Sequence, residues 1–91
     1  MRIPSSFELQ GRTIRVVLSD EMTDNDGEWD SHKDLITIDE TNPRDIRARS
    51  FLHEFVHAAL QALGKEDLGR DETFVDCFAG LIHQMLKTSR F

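Results

Sequence analysis

The 91-residue sequence has one cysteine, no tyrosine, no long apolar run and too few basic residues to balance its acids. A lone Cys77 can form neither an intramolecular disulfide nor a cysteine-based zinc cluster. The opening stretch "MRIPSSFELQ" contains no apolar run of the kind found in a signal peptide, and no segment approaches the length needed to cross a bilayer. A cytoplasmic location is therefore expected. The formal net charge of −6 argues against nucleic acid or an anionic membrane as the main partner, since both reward a basic surface. No internal repeat, low-complexity tract or linker interrupts the chain.

What remains is the composition of one small folded domain. Hydrophobic residues make up 38% and charged residues 31% of the chain, with six Phe and one Trp, too apolar for disorder. The length lies near the lower limit for a self-sufficient core, so a bound metal would contribute usefully to stability.

The first part reads as strand. "FELQGRTIRVVL" carries two alternating runs around Gln10-Gly11, with Ile14, Val16 and Leu18 on one face, which predicts a hairpin. "DEMTDNDGEWD" reads as a polar turn region and "DLITIDE" as a third, β-branched strand. The segment "MTDNDGEWDSHK" loosely imitates a calcium-binding loop. Its first and twelfth positions are Met22 and Lys33, where that loop needs acids, so calcium is rejected.

Two helices are expected next. In "TNPRDIRARSFLHEFVHAALQALG", Asn42 suits a cap, Pro43 the first helical position and Gly64 the C-terminal stop. A polar loop, "GKEDLGR", leads to "DETFVDCFAGLIHQMLK". Here Phe74, Phe78, Leu81 and Met85, with Val75, Ile82 and Leu86 alongside, recur at helical spacing. The expected fold is α+β, a small antiparallel-rich sheet of about three strands followed by two packed helices.

The first helix carries His53-Glu54-Phe55-Val56-His57. At about 100° per residue, His57 lies about 40° from His53, so the imidazoles stack one turn apart beside an apolar arc of Ala48, Leu52, Phe55, Val56, Ala59 and Leu63. Both can aim a nitrogen at one divalent ion. Glu54, about 100° around, is poorly placed as a third ligand of that ion but can reach water held there, as a general base.

At this point the chain resembles a minimal gluzincin, the compact zincin metallopeptidase core of ImmA/IrrE-type proteins and of small phage and prophage metallopeptidases. The resemblance rests on the order hairpin, strand, His-Glu-x-x-His helix, short loop, acidic helix. "GEWDSHKDLITIDET" resembles the edge strand that leads into the zinc helix of that family. The resemblance implies Zn²⁺ as cofactor, a peptide or protein substrate of regulatory or phage-related kind, and a bacterial host cytoplasm for a phage-encoded chain. It also implies a third ligand from a glutamate on the next helix and, four residues later, an aspartate that orients a ligand histidine. Glu72 and Asp76 match that pattern, with Asp71 and Asp76 as competing third ligands. The tyrosine donor used in some members has no counterpart here.

Other residues receive plainer expectations. His83, about 16 Å along the second helix from Glu72, reads as a surface or packing histidine. His32 could donate to an oxyanion from its loop. Cys77 reads as a buried small hydrophobe and Trp29 as a core or cleft-wall aromatic. A substrate peptide is expected to pair with the strand around Leu35 to Asp39. A zinc-stabilised interaction or phage assembly protein without turnover, and a metal-free interaction module, are the alternative readings. Oligomeric state stays open.

Overall fold

The computed structural model describes residues 1–91. Its first two strands, β1 (Ser6–Leu9) and β2 (Arg12–Ser19), form the expected antiparallel hairpin. Gln10 and Gly11 both have positive φ, 50° and 80°, the paired left-handed geometry that matches the twist of a two-residue hairpin.

The sheet has four strands rather than three. The residues read as the end of a polar turn form β3 (Gly27–Asp30), antiparallel to β4 (Leu35–Asp39), and β4 lies parallel beside β2 in the order β1-β2-β4-β3. Four residues containing Gly, Glu and Asp carry little alternating signal, and β3 is specified by pairing with the apolar β4. Two of the three pairings are antiparallel. Because β4 is paired on both sides it offers no free edge, which corrects the expectation that a peptide could pair with Leu35 to Asp39.

Above the sheet packs α1 (Arg44–Ala62), and α3 (Glu72–Thr88) packs on α1; the two are joined through a single helical turn, α2 (Glu66–Gly69), in the segment expected to be loop. The helix α1 begins one residue later than expected: Pro43 occupies the cap position without a side-chain cap, and the Asn42 amide instead donates to Asp26 Oδ1 at 2.9 Å. At the other end, Lys65 N–H donates to Leu60 O at 2.8 Å and Gly64 N–H to Gln61 O at 3.0 Å. With Gly64 at φ 71°, this is the paired C-terminal stop that favours glycine. The pairs His53–Glu72, Arg49–Asp76 and Asp45–Lys87 run in opposite order along the two helices, so α3 folds back antiparallel to α1.

The core is one cluster. Ile14 and Val16 of β2 and Ile36 and Ile38 of β4 meet Phe51, Leu52, Val56 and Leu60 of α1 and Val75 and Ala79 of α3. Leu63, expected on the apolar arc, is exposed past the end of α1. On α3 only Val75 and Ala79 are buried. Phe74, Phe78, Leu81 and Met85 stay exposed, and Cys77 with them. Cys77 is therefore not the buried hydrophobe expected of it: α3 has a wider apolar stripe than α1 and the sheet can cover.

Candidate metal centre

The site is assembled by the antiparallel pairing of α1 and α3. His53 and His57 project from successive turns of α1 with ring centroids 5.1 Å apart and an interplanar angle of 60°. Asp71 caps α3 by accepting from the Phe74 N–H at 3.1 Å, which starts the helix so that Glu72 faces α1. The Glu72 carboxylate then lies with Oε2 3.0 Å from His53 Nε2 and Oε1 3.1 Å from His57 Nε2. One donor atom from each of His53, His57 and Glu72 falls within 4.8 Å of the other two. Tetrahedral ligands about 2.0–2.1 Å from a zinc ion are about 3.3 Å apart, so this group could hold a metal ion with small adjustments.

Of the three acids considered as third ligand, the geometry brings Glu72 to both imidazoles. Asp71 is engaged in its cap. Asp76 lies on the other side of His53, with Oδ1 3.5 Å from Nδ1, while its Oδ2 accepts from Arg49 Nη2 at 3.2 Å. Arg49 in turn lies across Gly80, where a Cβ would come within 3.3 Å of Nη2. Asp76 thus stands between a cation and the ring nitrogen turned away from Glu72, the position from which a carboxylate fixes imidazole tautomer and orientation. The Arg49 and Gly80 contributions carried no signal in the sequence, because neither belongs to a motif.

Glu54 occupies a different environment. It packs under Gly27, where a Cβ would come within 3.1 Å of Glu54 Cγ and 3.4 Å of Oε2. Burial raises its pKa from 4.5 to about 7; the charge of His53 opposes the shift, and those of Glu72 and Glu28 add to it. A polar cavity of about 330 Å³ opens beside it, lined by Asp26, Gly27, Arg49, Ser50, His53 and Asp76 among others.

The other sequence candidates fall outside this cluster. Trp29 is half-buried against the core, and its indole N–H donates to Gln61 Oε1 at 2.9 Å. His32 is exposed in the turn after β3, beyond Trp29 and at the opposite end of that strand from Gly27 and Glu54. It lines neither the cavity beside Glu54 nor the metal group, so the structure gives no support to the oxyanion-donor role expected of it. His83 is half-buried on α3 with Nε2 unpartnered, near Asp45 rather than the metal group.

No helix is long and apolar enough to cross a membrane. The chain matches no protein-family model, no curated protein and no solved structure, so the functional reading rests on the fold and the geometry of this cluster.

Proposed function

We propose that this chain is a zinc-dependent metallopeptidase of the minimal gluzincin kind, with His53, His57 and Glu72 as ligands and Glu54 as general base. The observation that carries the reading is the convergence of both imidazole Nε2 atoms on one carboxylate of the next helix, with the half-buried Glu54 beside them. Zinc bound there supplies a Lewis acid that acidifies water and polarises a peptide carbonyl. Glu54 accepts the proton of the attacking water and delivers it to the leaving amine. Asp76 holds His53 through Nδ1.

The sheet offers a substrate backbone a free edge near Glu54, the outer side of β3. In the antiparallel ladder Asp39 N–H donates to Asp26 O at 2.9 Å. By alternation the N–H and C=O of Gly27 and Trp29 point away from β4, so an extended peptide can pair with β3 and pass over Glu54. The substrate class is therefore an extended peptide or an unfolded protein segment.

A second reading keeps the zinc without turnover, as a stabilised interaction or phage assembly protein; the uncovered apolar face of α3 favours it. Glu54→Gln separates the two. Zinc-loaded wild type should cleave members of a random peptide library, and Glu54→Gln should lose at least 100-fold of that rate with zinc content unchanged. Cleavage that survives the substitution would sink the proposed role of Glu54, and a zinc-loaded wild type that cleaves nothing would favour the second reading.

A further inference from the structure

The outer face of α3 is an unpartnered helical seam. Phe74, Phe78, Leu81 and Met85 follow one another at intervals of four, three and four residues, the alternation that lines up side chains along a helix packed on another helix. They are 37%, 44%, 64% and 54% exposed. Phe74, Phe78 and Leu81, with Asp71, Thr73 and Cys77, line a shallow apolar groove of about 470 Å³, and Phe74 and Phe78 pack on each other with centroids 5.9 Å apart.

We propose that this seam is a dimer interface, with α3 of a second copy of the chain packed antiparallel against it. Charge selects the occupant. The residues flanking the seam on its solvent side are Thr73, Cys77, Gln84 and Thr88, none of them charged. A chain of net charge −6 can meet its own copy here without like charges facing across the seam, and no lysine or arginine on that flank would draw in an anionic lipid surface or an acidic partner.

Charge also selects the direction. The helix starts with Asp71 and Glu72 and ends with Lys87, followed by Arg90. An antiparallel mate sets Phe74 against Met85 and Phe78 against Leu81 of the second copy, and brings Asp71 near the second copy's Arg90, with helix dipoles opposed. A parallel mate would stack acidic end on acidic end.

The size of the seam sets the strength. Full burial of an aromatic side chain hides about 150–250 Å², so the four residues at their exposures hide roughly 400 Å² per copy. With the flanking residues the total reaches about 1,200 Å², the lower limit for a specific interface. An interface of this size stands at the weak, transient end of specific association, so dimerisation is sought at micromolar to submillimolar protein.

Sedimentation velocity of the full chain from about 1 to 500 μM tests this, with far-UV circular dichroism of each variant as the control for folding. The wild type should pass from the 10.5 kDa monomer to twice that mass. Phe78→Glu and Leu81→Glu, both at exposed positions, should each raise Kd at least tenfold and leave the fold intact. Arg90→Glu should raise it about threefold if the helices are antiparallel. A wild type that stays monomeric to 500 μM overturns the proposal, including one that instead binds phosphatidylcholine vesicles through this face. So does a dimer indifferent to both seam substitutions. A dimer that responds to the seam but not to Arg90→Glu overturns the antiparallel arrangement.

Discussion

Gly27 closes over Glu54: a Cβ at residue 27 would come within 3.1 Å of the Glu54 Cγ and 3.2 Å of Ile38 Cδ1. Since Ile38 is fully buried and cannot retreat, the Glu54 side chain has to move when residue 27 gains a side chain. Gly27→Val is expected to lower peptide hydrolysis by 10- to 100-fold, the scale of an ångström's misplacement of a reacting group, with zinc stoichiometry unchanged. Paired assays of cleavage and metal content on the variant check this, and a parallel loss of zinc would show that Gly27 supports the ligands instead.

Asp76 lies against both His53 and Arg49. Asp76→Asn keeps the shape and removes the charge that favours the N–H at His53 Nδ1. Zinc affinity should fall about 10- to 100-fold, read by competition with a chromophoric chelator. Equal affinity in wild type and variant would reduce Asp76 to a surface partner of Arg49.

In the metal-free protein, Glu54 stays protonated when folded up to about pH 7 and ionises from 4.5 upward when unfolded. The folded state therefore binds more protons between those values. The stability this group contributes is fully present below pH 4.5 and is lost as the pH rises through 7. Asp39, held below the ordinary carboxylate range by Thr41, and Asp45, held there by Lys87, act in the opposite sense, but at pH values below that window. Unfolding free energies from urea titrations in EDTA should fall from pH 5 to pH 8 by more for the wild type than for Glu54→Gln, the difference approaching about 2–3 kcal/mol. Parallel pH profiles would contradict the desolvation of Glu54 under Gly27.

The core carries the fold independently of the site. Ile36 is fully buried between β2, β3 and the helices. Ile36→Ala should cost about 2–5 kcal/mol, a large part of the stability of so small a domain. Thermal melts with and without zinc measure it, and saturating zinc should recover part of the loss through binding to the folded state alone.

Much of this architecture was legible in the residues. Gln10-Gly11 announces its hairpin because consecutive left-handed residues are rare outside such turns, and Gly64 announces the end of α1 for a similar reason. The one-turn spacing of His53 and His57 needs only helix geometry to become a pair. Long-range relations left weaker marks. The strand β3 has no pattern of its own and exists through β4. The placement of β4 between β2 and β3 is a matter of topology, which alternation along one strand does not encode. Cys77, Phe74 and Phe78 follow the same helical period as Val75 and Ala79. Which part of a broad apolar stripe meets the body depends on where Glu72 and Asp76 anchor α3 against α1, and that emerges only in three dimensions. Arg49 and Gly80 are visible as part of the site only once the helices are paired.

Zinc content per chain decides whether His53, His57 and Glu72 form a metal centre. Elemental analysis of protein purified without added metal should give about one zinc per wild-type chain and far less for Glu72→Ala and for His57→Ala, each of which removes one of three ligands. Wild-type protein that carries no zinc, and takes up none when zinc is supplied, would contradict the account and leave the Glu72 carboxylate as a hydrogen-bonding bridge between two histidines.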